Sequence, residues 1–416
     1  MRNLFKTSLA TAILMSLGTV TTYADEGGTP VMDNIKVTGE LRPRFEMVDD
    51  DNDLSNANAV TNRLVIGVNA DLFGTDWLSG YAEMTDVHNA NDNYNSTDNG
   101  QAGHSKVVDP EQTRLTQSYL DFKLNKTLLR AGRQIVNLDN KRFIGSVNWR
   151  QMPQSFDAYA LVDNSIDNLN FLAAYVTQVN RIFAGDDNSS PTTDSWDTKT
   201  VLVNAKYKAS DALSVTAYGY LIGSLNNTYG LALTGKAASV NYRAEYATQT
   251  DASLETADMG KPDADASYYN LQADTNMSGL LVGAQYEVLS GADSADETAF
   301  VTPLATLHAH NGWADKFLNT PAGGIVDLNV MVGYKSKDFG VAKAIFHDFS
   351  SDVGSTDYGT ELDLLYKRSV PGVKNLTGLV KAAVYSGGDS VAEGNDAALA
   401  TDTTKFWVML DYKFSN

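Results

Sequence analysis

Apolar and polar residues alternate along most of the chain, from near residue 35 to its end. In the closing stretch FWVMLDYKFSN, Phe406, Val408, Leu410, Tyr412 and Phe414 share one parity, while Asp411 and Lys413 fall on the other. A strand sends successive side chains to opposite faces, so this stretch presents one apolar face and one charged face. IKVTGELRPRFEM sets Ile35, Val37, Leu41, Phe45 and Met47 against Lys36, Glu40, Arg42, Arg44 and Glu46. ASVNYRAEY and IVDLNVMVGYK do the same, with Arg243 and Asp327 on their polar parities. Helical periodicity fits none of these.

Such segments predict strands near 35–47, 61–72, 77–87, 113–124, 126–135, 155–163, 167–178, 197–208, 212–222, 228–234, 237–248, 267–275, 279–288, 325–336, 339–349, 358–367, 375–386 and 404–414. That is about eighteen strands, within a range of 16 to 18. Tight turns such as FGTDW, LNKT, KASDA, NMSG and KSKD alternate with mostly longer polar stretches, among them 88–112, 179–196, 249–266, 288–324 and 387–403. Short periplasmic turns and long external loops around strands of about 9 to 11 residues mark bacterial outer-membrane barrels. A closed sheet also satisfies every edge N–H and C=O, which hydrocarbon cannot do. The expected fold is therefore all-β: a transmembrane antiparallel β-barrel with its apolar parity toward lipid, its charged parity toward a wet lumen and both termini in the periplasm. A secreted soluble β-protein alternates too, but it leaves the long-short rhythm of the connections unexplained.

The first residues fit that destination. MRNLFK is basic, TSLATAILMSLGTV is an apolar run short for a membrane span, and Thr22 and Ala24 are small. This predicts a signal peptide over residues 1–24, cleaved after Ala24, with 25–416 as a single barrel domain in the outer membrane. Beyond it no apolar run reaches about 18 residues, so no membrane helix is expected. The first strand starts too soon after the cleavage site to leave room for a plug domain.

The formal charge is −19, and loss of Arg2 and Lys6 with the signal peptide takes it to −21. Such a balance excludes nucleic-acid binding, which needs basic patches. With no Cys, disulfides, thiolate metal sites and Cys nucleophiles are excluded. Much of the negative charge lies in predicted loops: DDDND at Asp49 to Asp53, Gly185 to Asp187, and 251–265. DDDND lacks the Gly and the distal acid of an EF-hand, with Leu54 and Val60 at those positions. At inward positions the charges nearly cancel, with Arg42, Arg44, Arg63, Arg130, Arg243 and Lys381 among the bases and Glu40, Glu46, Glu287, Asp327, Glu361 and Asp363 among the acids.

One connection is basic. NLDNKRFIGSVNWRQMPQ carries Lys141, Arg142 and Arg150 against Asp139 alone, with Phe143 and Trp149. Two readings stand: it folds inward and narrows a pore, where basic side chains favour anions, or it is a surface loop whose bases pair with nearby acids.

The same region resembles the alginate-export family of outer-membrane β-barrel porins. The resemblance rests on Gly132, Arg133, Gln134; Arg142, Phe143, Ile144, Gly145; Trp149, Arg150, Gln151; and Ser155, Phe156, Asp157. A second motif comprises His308, Asn311, Gly312, Trp313, Ala314, Asp315 and Phe317, then Thr320, Pro321 and Asp327. It implies an eighteen-stranded monomeric barrel whose arginine-lined constriction passes a polyanionic polysaccharide, with Arg130, Arg133, Arg142 and Arg150 as linings. Gly132, Gln134, Gly145, Trp149, Phe156, Asp157, Trp313 and Asp315 would be its structural residues.

Other chemistry is weaker. His308 and His310 can share one face of an extended segment, but no third ligand is evident, so loop packing is expected rather than a metal site. FHDFSSD sets His347 near Ser350 and Ser351, yet His347 and Asp348 point to opposite faces, and no catalysis is expected. The sequence thus points to a porin for passive diffusion of small hydrophilic or anionic solutes, with no enzyme activity, cofactor or metal. Pore-lining candidates are Arg42, Arg44, Arg63, Arg130, Arg133, Arg142, Arg150, Arg243 and Asp327. Alternatives are an alginate-like export channel and a structural or receptor barrel with a closed lumen. Membrane lipid and lipopolysaccharide are the expected partners of a monomer, with a trimer as the alternative.

Overall fold

A computed structural model describes residues 31–184, 194–223, 225–254, 264–294, 296–388 and 397–416. The signal peptide, Gly185 to Asp187 and most of the acidic stretch 251–265 lie outside the described residues.

The strands are β1 Met32–Asp50, β2 Ala57–Leu72, β3 Leu78–Asn89, β4 Gln112–Leu124, β5 Thr127–Gln134, β6 Ser155–Asp163, β7 Leu169–Asn180, β8 Ser195–Lys208 and β9 Ser214–Ile222. They continue as β10 Asn226–Ala237, β11 Val240–Thr250, β12 Ala266–Met277, β13 Leu280–Leu289, β14 Ile325–Ser336, β15 Gly340–Ser350, β16 Asp357–Ser369, β17 Leu376–Gly387 and β18 Thr403–Ser415. Each pairs antiparallel with its sequence neighbours, and β1 closes on β18 from Thr38↔Ser415 to Asp50↔Thr403. Asn416 prolongs this seam, its Oδ1 accepting from the Val37 N–H at 2.7 Å.

The number of strands matches the expected eighteen. Several run further than their apolar alternation: β1 was expected over 35–47 and β2 from 61, yet they are still paired at Val48↔Ala57. Backbone pairing needs no apolar side chain, so the ladder continues above the level where the hydrophobic pattern stops. Turns at Asn125 and at Ser278 and Gly279 use left-handed backbone, which suits tight hairpins.

Side-chain exposure confirms the parity argument. On β18, Val408, Leu410 and Tyr412 are 41%, 42% and 38% exposed, whereas Lys405 and Trp407 on the opposite parity are 7% and 0% exposed. A continuous apolar outer wall of this kind requires hydrocarbon around it. Trp77 with Phe122, Phe339 with Tyr334 and Tyr366, and Tyr412 with Phe414 form aromatic pairs near the short-turn end, as expected of an interfacial girdle.

Inside, burial changes with depth. Along β16, Glu361 and Asp363 are buried while Lys367, nearer the periplasmic end, is exposed; along β18 the same holds for Trp407 and Lys413. The periplasmic half of the lumen is therefore an open vestibule, and something fills the external half.

Candidate functional site

Among the described residues, the filling comes mainly from three external connections, residues 90–111, 135–154 and 290–324. The last two pair with each other inside the barrel. Ile144 bridges Leu304 in parallel, Gly145 N donates to Leu304 O at 2.8 Å, and Thr306 N donates to Lys141 O at 3.0 Å. Gly145 permits this close approach, because a Cβ there would run into the Thr306 hydroxyl. Phe143 anchors the pair, its ring centroid 5.3 Å from Tyr218, 5.2 Å from Tyr268 and 6.0 Å from Phe300. The basic loop thus folds inward, and its bases pair with acids as well: features of both sequence readings hold together.

Three wall arginines grip the loop backbone. Arg42 on β1 donates to Gln151 Oε1 at 3.0 Å, Asn148 O at 3.0 Å and Arg150 O at 2.6 Å. Arg44 donates to Trp149 O at 2.6 Å and pairs with Glu46 and with Asp109 of the 90–111 connection. Arg63 on β2 reaches the Asn148 side chain and lies 3.4 Å from Glu40. Carbonyls that would otherwise be orphaned in the lumen find donors this way, and the buried guanidinium groups find acceptors.

The loop's own arginines reach opposite walls. Arg142 lies 3.1 Å from Glu287 on β13 and donates to Asn311 Oδ1 at 2.8 Å. Asn311 in turn donates to Glu287 at 2.7 Å and to Asp327 on β14 at 3.2 Å. Arg150 meets Glu46 at 3.1 Å and Asp315 at 3.2 Å. Burial opposes its charge, but the carboxylates of Glu46, Asp109 and Asp315 outweigh that and hold the guanidinium above its ordinary pKa.

Asp315 is a hub. It also accepts from Lys405 at 2.9 Å and from His308 Nδ1 at 2.6 Å. His308 Nε2 faces the Lys381 ammonium at 2.7 Å, so the imidazole is neutral, protonated on Nδ1 and accepting on Nε2. Burial pushes its pKa down to about 3, against the pull of Asp315. Lys381 Nζ lies 3.6 Å from the Trp313 ring centroid, 4.3 Å from Trp149 and 5.3 Å from Trp407, while Trp149 stacks on His308 at 4.6 Å. An aromatic cage of this sort stabilises a desolvated cation. Together these groups form a layer across the barrel between the vestibule below and the loops above.

Several candidates lie elsewhere. Arg130 is in the vestibule half, held bidentately by Asp121 at 2.6 and 2.7 Å beneath the Tyr119 ring. Arg243 pairs with Glu245 at 2.6 Å on the inner wall. Arg133, expected as a lining, is corrected: it pairs with Asp157 at 2.7 Å, and Asp157 shares its strand face with Tyr159, which is 65% exposed. Period-two alternation puts both on the outer wall near the external rim. Gly132 beside it has φ +126, and a Cβ would strike the Ser118 carbonyl. Gln134 donates to Ala158 O at 3.1 Å and Phe156 is buried inside, so these motif residues shape the strand ends.

His347 Nδ1 donates to the Asp327 carboxylate at 2.8 Å, and the Ser351 hydroxyl accepts from Thr356 N, so these two side chains are engaged apart from each other. Sequence reasoning missed Asp109, which sat in a stretch read only as polar, and Trp407, whose parity opposite Val408 was the available signal. It read Lys381, Glu287 and Glu361 as inward charges without giving them partners.

A family model described as alginate export matches residues 33–270. No curated protein matches the sequence. Among solved structures, OccAB2 of Acinetobacter baumannii aligns with TM-score 0.70 at 14% identity, covering 92% of this chain and 99% of its own. OpdO of Pseudomonas aeruginosa aligns with TM-score 0.68 at 12% identity, covering 92% and 98%. OpdK of the same organism, solved with vanillate, gives 0.67 at 12% identity, covering 92% and 99%. At such identities the likeness concerns the fold.

Proposed function

Given that this chain belongs to the alginate-export family of outer-membrane β-barrels, we propose that it is a passive channel for small hydrophilic solutes. One observation carries the reading. Arg42, Arg44, Arg63, Arg142 and Arg150, the arginines of the layer across the barrel, are engaged by loop carbonyls and carboxylates, and all are buried. A passage past such a layer is narrow and suits single small molecules; the vanillate bound by OpdK is of that size class. The roles belong to residues 25–416, with residues 1–24 removed on export, and the apolar wall would contact membrane lipid and lipopolysaccharide. Liposome swelling tests the reading: proteoliposomes swell in small sugars and amino acids but exclude oligosaccharides.

A second reading, export of an alginate-like polysaccharide, is favoured by the family and by the lysines exposed toward the periplasmic end of the inner wall, including Lys123, Lys335, Lys367 and Lys413. Those lysines would attract a polyanion from the periplasm. Passage of anionic oligosaccharides in the same assay would support it. A purely structural barrel would insert without conducting.

A further inference from the structure

A cavity of about 690 Å³ opens above the central ion-pair layer on the external side. Its floor is Arg150, Asp315 and Lys405, and Lys106, Lys316 and Asp50 join them around its wall. Four bases thus face two acids at the mouth of a chain whose formal charge is −19. The rest of the wall is largely apolar, with Leu318, 41% exposed, as an example. Concave sites with an apolar lining and a few convergent charges bind small molecules.

Lys316, half-buried, differs from Arg150 and Lys405 on the cavity floor. Its Nζ donates to the Ala398 carbonyl at 2.9 Å and lies 5.0 Å from the Tyr385 ring, and no salt bridge joins it to a carboxylate among the described residues. Arg150 and Lys405, by contrast, both share Asp315. A negative group entering the cavity would therefore find two ammonium groups that no salt bridge engages among the described residues, the half-buried Lys316 and the exposed Lys106, and two cations whose common acceptor sits at its edge.

We propose that this cavity is a binding site for a small organic anion with an apolar body, and that Lys316 is the residue that reads its charge. The inference rests on the channel reading and deepens it: the anion binds by charge to Lys316, Lys405 and Arg150 and by its body to the Leu318 wall. Because the ligand competes with Asp315 for Lys405 and Arg150, binding also loosens the layer below. Burial lowers the Lys316 pKa to about 8, with Asp50, Glu361 and Asp402 raising it and Lys405 lowering it. Its charge is present at pH 7 and lost as pH rises through about 8, so binding weakens between pH 7 and 9.

The test uses the full mature protein in planar bilayers, with benzoate added on the external side and benzyl alcohol as the uncharged control. Wild type should show discrete, concentration-dependent current blockades with benzoate and none with benzyl alcohol. Lys316→Gln should cut the blockade frequency at least several-fold relative to wild type. Equal effects of the two probes, or blockades untouched by Lys316→Gln, would overturn the site while leaving the channel standing. If wild type never conducts, the channel reading fails and calorimetry decides the site: benzoate heat that Lys316→Gln abolishes sustains it, and absence of heat in wild type overturns it.

Discussion

Arg150 of the third external loop and Asp315 of the seventh meet at 3.2 Å in the interior of the barrel. The contact joins two segments 165 residues apart in sequence and ties both to β18 through Lys405. It has a measurable consequence, because removing one partner of a buried pair costs about 3–5 kcal/mol by leaving the other charge uncompensated. Asp315→Asn should release the two loops while the strands stay paired. Trypsin would then cut at Lys141, Arg142 or Arg150 in protein that still migrates as a folded barrel on unheated gels. Wild-type resistance in the variant would mean that the hub does not hold the loops.

Arg133 provides a contrast. Its pair with Asp157 faces outward and is 28% exposed on each side, so it resembles a surface ion pair worth about 0–1 kcal/mol. Arg133→Ala should leave ion selectivity unchanged and shift the unfolding midpoint slightly. A clear change in reversal potential would return Arg133 to the pore.

Acid should loosen the loop layer. His308 and His310 are held neutral by burial, with pKa values pushed down to about 3 and about 4. Unfolded histidine takes its proton near pH 6.5. Groups with a depressed folded pKa contribute stability that is present above the unfolded pKa and lost as pH falls toward the folded one. Loop protection against protease is therefore expected to be full at pH 7 and to decline between about pH 6.5 and 4. His308→Gln, whose amide can accept from Lys381 and donate to Asp315 without titrating, should flatten part of that decline. An unchanged acid profile in this variant would assign the effect to other groups.

The barrel was legible in the sequence because its two solvents differ: hydrocarbon outside and water inside impose period two on every strand, as Val408, Leu410 and Tyr412 against Lys405 and Trp407 illustrate. Loop lengths then oriented the chain. The site was less legible, since loop insertion depends on contacts between segments distant in sequence. Arg42 and Arg150 were recognised as inward or loop bases, but that Arg42 would hold the Arg150 carbonyl, 108 residues away, has no local signature. Arg133 was misplaced because a positive charge in a motif does not announce its face; counting two residues back from Tyr159 to its partner Asp157 would have assigned it to the outer wall.

The third and seventh loops together narrow the channel. Single-channel conductance in planar bilayers tests it most directly, comparing wild type with a variant whose residues 138–150 are replaced by a short Gly-Ser connection. Wild type should show a small, steady conductance and the variant one several-fold larger. A wild-type protein that inserts without ever conducting, or a variant whose current equals wild type, would contradict it.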